Sequence, residues 1–97
     1  MAKFMIEVPH DPDTLGCARV VHVFLSTGSH FLANAEWGCR DGVHTAWMIV
    51  DADNKAEARL IVPPALRKDA TIVGLNRFGI AEIEAIINEH PVHQVTA

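Results

Sequence analysis

Two histidines and two cysteines, His10, Cys17, Cys39 and His44, are the residues whose types and placement best suit chemistry. Two imidazoles and two thiolates form the donor set of a tetrahedral Zn²⁺ site, and soft sulfur also suits Cu(I). The stretch Glu36 to Ala52, EWGCRDGVHTAWMIVDA, reads as two strands joined by a tight Asp41-Gly42 turn. A two-residue turn there sets Arg40 opposite Val43, Cys39 opposite His44 and Trp37 opposite Ala46. Thiol and imidazole then stand side by side on one face. Competing readings make Cys17 a small core hydrophobe, His10 a hydrogen-bonding residue after a strand, and Cys39 with His44 a plain strand-end pair. A Cys17–Cys39 disulfide or redox pair also remains open on spacing.

The elements that must position these residues follow in order. Lys3 to Val8, KFMIEV, alternates as a strand, with Phe4, Ile6 and Val8 on the face His10 would share. Asp11-Pro12-Asp13-Thr14 opens a helix, with Asp11 as cap and Pro12 at the first helical position. It is expected to run to about Leu25, grouping Cys17, Ala18, Val21, Phe24 and Leu25 on one side. Thr27-Gly28-Ser29 ends it, and His30 to Asn34 leads into the hairpin. Asn54, or Asp53, caps a short helix from Lys55 to about Ile61, which Pro63-Pro64 closes. Thr71 to Phe78, TIVGLNRF, is a fourth strand. Gly79 opens a last helix striped by Ile80, Ile83, Ile86 and Ile87. The first strand and the hairpin turn point to the same end of the sheet. His10, Cys17, Cys39 and His44 are therefore expected together there.

The order strand, helix, strand, strand, helix, strand predicts an α+β fold. The pattern is the ferredoxin-like βαββαβ arrangement with an extra C-terminal helix. Residues 1–90 form one domain and 91–97 a loose tail. Thr45 to Val50, TAWMIV, is apolar on both parities, and so is the fourth strand. Helices on one face leave the other needing a cover. The terminal helix folding back is one cover. The favoured one is a second copy, sheet against sheet, in a homodimer.

FLSTG, AEWGC, WMIVDADN and ATIVGLNRF, spread over Lys3 to Phe78, are similar to segments of small bacterial proteins in the dimeric α+β-barrel superfamily, chiefly members of unknown function. The resemblance implies the fold and a face-to-face dimer. Related groups include muconolactone isomerase-like, antibiotic-biosynthesis monooxygenase-like, haem-degrading and nickel-binding proteins. None of their catalytic motifs can be laid on this chain, so no activity carries over. A small-molecule binder or enzyme with a pocket inside the barrel is the alternative to metal binding. Glu36, Trp37, Trp47 and His22 would line it. Glu36 against Trp47 would suit proton transfer.

Composition narrows the remaining classes. The chain has 97 residues, 49% hydrophobic and 21% charged, with net charge −4. That charge argues against nucleic-acid or anionic-membrane partners, which require a basic face. The strands also lack the stacking aromatics of RNA-recognition sheets. MAKFMIEVPH carries Glu7 and Pro9 within its apolar run and does not read as a secretion signal. With only two cysteines, this points to a reducing cytoplasm. Asp51, Asp53 and Asn54 lack the rest of a calcium loop and read as turn and cap residues.

Overall fold

Alternation in the first strand translates directly into a two-faced sheet. In the computed structural model, which describes residues 1–90, β1 (Ala2–Pro9) buries Phe4, Ile6 and Val8 and turns Lys3, Met5 and Glu7 the other way. It pairs with β3 (Thr45–Ala52) from Ala2↔Ala52 to Pro9↔Thr45, and with β4 (Thr71–Leu75) on its other side. β2 (Glu36–Trp37) adds to the free edge of β3. The order is β2-β3-β1-β4 and every pairing is antiparallel, giving the expected α+β class.

Three helices cover one face. α1 (Thr14–Ser26) is capped by Asp13, whose carboxylate accepts the Gly16 N–H at 2.6 Å. The cap is thus Asp13 rather than Asp11: Asp13 is the last residue with extended backbone before the helix begins. Phe24 is the buried residue of α1, whereas Leu25 and Ala18 are exposed, so the apolar stripe is narrower than periodicity suggests. α2 (His30–Ala33), a single turn capped by Ser29, fills the stretch expected to be a plain connection and buries Leu32. α3 (Lys55–Arg59) is capped by Asn54, which accepts the Glu57 N–H at 2.8 Å, as its spacing implies. The Pro64–Asp69 stretch forms a 3-10 turn. Arg59 donates to the carbonyls of Arg67 and Ala70, and Arg67 to those of Val62 and Leu60. These guanidinium bonds supply donors to carbonyls along the irregular stretch around Pro63-Pro64.

The expected hairpin is corrected at its turn. β2 lasts two residues, and Cys39–Asp41 coils into a 3-10 turn instead of continuing the strand. Gly42, at φ 81°, ends that turn by donating its N–H to the Cys39 carbonyl rather than forming half of a two-residue reversal. The coil closes where Val43 donates to the Gly38 carbonyl at 3.0 Å. A Cβ at Gly38 would lie 2.7 Å from the Val43 oxygen, so glycine is what permits this approach. Beyond the coil the expected register holds, with Trp37 opposite Ala46 and Glu36 opposite Trp47.

α4 (Ile80–Glu89) does not cover the open face of the sheet. Ile80 is 75% and Ile87 61% exposed, and on the sheet Ile49 is 52% and Val73 41% exposed. The molecule measures 54 × 30 × 21 Å, with a radius of gyration of 17.8 Å. A compact chain of this length would have about 12–13 Å. No helix among the described residues is long and apolar enough to cross a membrane. The loose tail expected for residues 91–97 falls outside the described part.

Candidate metal centre

Strand pairing brings the two histidines together. The β1–β3 ladder runs one pair past Pro9↔Thr45, because the His10 N–H donates to the His44 carbonyl at 3.0 Å. Side chains alternate along strands, so both imidazoles follow Val8 and Ala46 onto the helix-covered face. Their rings meet edge to face with centroids 5.8 Å apart. His44 is therefore the partner of His10, and the expected Cys39–His44 strand pair is not formed. Cys39 reaches the same spot from the 3-10 turn, and Cys17 from the first turns of α1.

The four ligand atoms lie within 4.8 Å of one another. His10 Nε2 is 3.3 Å from Cys17 Sγ and 3.1 Å from Cys39 Sγ, and the sulfurs are 3.2 Å apart. Tetrahedral Zn²⁺, with bonds of 2.0–2.1 Å to nitrogen and 2.3 Å to sulfur, sets donor–donor edges of about 3.3–3.8 Å. Seating an ion therefore requires the sulfurs to part by about half an ångström. Both cysteines are free thiols, half-buried, and Cys17 donates its S–H to Cys39 Sγ. The Nδ1 atoms of His10 and His44 are buried without a well-formed hydrogen bond. A buried nitrogen left unpaired is costly unless something else satisfies it.

The site favours uncharged side chains. Burial, the largest effect, holds the His10 imidazole below its ordinary pKa; the Val8 carbonyl opposes it, His44 adds a smaller push downward, and Asp11 a still smaller one upward. The Val8 carbonyl thus faces the ring, although Nδ1 does not meet hydrogen-bond geometry. Burial also pushes the Cys39 thiol up, reinforced by Cys17. Conversion of the thiols to thiolates would be favoured by a bound cation.

Trp37 forms the back wall, with its ring edge-to-face on His10 at 5.5 Å and on Phe24 at 4.8 Å. That places it on the covered face. Trp47 is on the opposite, open face, where its indole N–H donates to Glu7 at 3.2 Å. Glu36 and Trp47 line one shallow groove of about 370 Å³ with Met5 and Ile49. His22 is exposed on α1, away from it. The expected set of Glu36, Trp37, Trp47 and His22 is thus split among three places. Glu7, the indole's partner, and Gly38, which lets the loop close, were not singled out from sequence. The Glu7↔Trp47 register could have pointed to the first, and the tight G-x-x-x-G spacing around Cys39 to the second.

The chain matches no protein-family model, no curated protein and no solved structure.

Proposed function

We propose that this protein binds one transition-metal ion, Zn²⁺ or Cu(I), through His10, Cys17, Cys39 and His44. The observation that carries the proposal is the convergence of four ligand atoms, delivered by four separate segments, within 4.8 Å. Metal content of protein purified without a polyhistidine tag tests it. One equivalent of bound or bindable metal, and a lower melting temperature in chelator, are expected. No metal uptake together with unchanged melting would overturn it. Such a donor set suits a reducing cytoplasm, where the thiols stay available.

A ferredoxin-like homodimer of the dimeric α+β-barrel kind is the assembly we propose. The all-antiparallel four-stranded sheet supports it. So does the pairing of two unmet needs in one chain: an apolar sheet face without a helix, and an apolar helix without a sheet. A two-fold axis satisfies both at once, each copy's face meeting the other's. Glu82 and Glu84 flank the isoleucine stripe of α4, and Lys3 and Arg77 border the open end of the sheet, so the charges also match. The groove containing Glu36 and Trp47 favours the second reading, a small-molecule site closed by the partner. Saturable binding of a small aromatic acid, lost in Trp47→Ala but unaffected by chelator, would support that reading over the metal.

A further inference from the structure

The candidate centre is walled on one side and open on the other. His10 is backed by Trp37. Cys17, Cys39 and His44 instead line a surface cleft of about 360 Å³, shared with Thr14, Ala18 and Arg40. Three of the four candidate ligands are therefore reachable from solvent by a small molecule, and both sulfurs are among them. Arg40 is the one permanently charged residue of the cleft, and it is exposed at the rim.

Building on the metal-binding reading, we infer that the cleft is an entry site for a small carboxylate-bearing thiol, which takes the ion by direct ligand exchange. A buried structural zinc can leave only after its own bonds break. An open sulfur edge permits a different order of events. The incoming thiol loses its proton and forms a metal–sulfur bond. The bond from Cys17 or Cys39 Sγ to the ion then breaks, and the released thiolate takes up a proton. A second thiol displaces the other cysteine in the same way, and that cysteine's thiolate also takes up a proton. The entrants' carboxylates or water replace the two imidazoles. No electrons change hands, and the ion leaves bound to the incoming ligands. Soft sulfur is required of the entrant because it must compete with two cysteines. The carboxylates are favoured by the Arg40 guanidinium. The volume fits a low-mass ligand rather than a folded partner. The centre is on this account a carrier's site, not a structural rivet.

Zinc-loaded protein mixed with excess metal-indicator dye and increasing mercaptosuccinate tests this. The release rate should rise in proportion to thiol concentration, and more steeply than with cationic cysteamine. Arg40→Glu should erase or reverse that preference. Ala18→Phe, at an exposed position, should fill the cleft and slow thiol-driven release about tenfold or more, with equilibrium zinc affinity and melting unchanged. Release independent of thiol concentration, or untouched by A18F in a folded protein, would overturn the inference while leaving metal binding intact. Failure to take up zinc at all would instead sink the metal-binding reading, and this inference with it.

Discussion

At the residue scale, the four donors differ in how readable they were. The parity that puts His10 on the face of Val8 is visible in KFMIEVPH, and the later convergence with Cys17 follows from where the first helix begins. The pairing of Cys39 with His44 was not readable, because it assumed that Asp41-Gly42 reverses the chain in two residues. Gly42 instead ends a 3-10 coil at φ 81°. Glycine serves either turn, so its presence could not decide between them. On the proposed metal binding, replacing Cys17 or Cys39 by serine would remove a metal–sulfur bond. Zinc affinity, measured by competition with a chelating dye, should fall by at least the ~10–100-fold that loss of an outer-shell partner typically costs. Acid should release the ion, since protons compete for all four donors. The metal-free protein should show its own pH limits. Burial depresses the His10 pKa, so below about pH 6.5 the unfolded chain binds a proton that the native one resists, and stability falls as pH drops. Cys39 is shifted upward, so its contribution is present at neutral pH and is lost as pH rises beyond the ordinary thiol range of about 8.5. Chemical denaturation of metal-free protein from pH 5 to 10 checks both signs, and a flat profile would contradict them.

At the scale of elements, strands were more legible than the turns joining them. Alternation marked β1 and the apolar run TAWMIV marked β3, and the Trp37↔Ala46 register survived even though the turn that had motivated it did not. α2 escaped notice because one helical turn leaves no periodicity to detect; only its Ser29 cap, three residues before Leu32, signals it. Gly38 is the hinge on which Cys39 depends. Gly38→Ala forces a Cβ to within 2.7 Å of the Val43 carbonyl and 2.8 Å of the Trp47 ring. It should cost about 1–3 kcal/mol of stability by urea titration and weaken zinc binding, because the Cys39 turn must shift. Asp13→Ala removes the α1 cap and should cost ~1 kcal/mol with a smaller effect on metal. Equal losses of metal affinity in both variants would argue that Gly38 has no special part in placing Cys39.

At the scale of the whole molecule, apolar residues on both parities of TAWMIV anticipated a sheet face that no helix among the described residues covers, and a second copy is the cover proposed for it. α4 standing clear removes the intramolecular cover, leaving Ile49 and Val73 open. Light scattering on the intact chain should therefore give twice the monomer mass, and Ile49→Glu should give a folded monomer. A monomeric native chain at tens of micromolar would refute the dimer without touching the metal centre. That centre itself is probed most directly by X-ray absorption at the zinc edge of the loaded, untagged protein. Two sulfurs at about 2.3 Å and two imidazole nitrogens at about 2.0–2.1 Å are the shell these four residues predict, and a shell of oxygens without sulfur would contradict them.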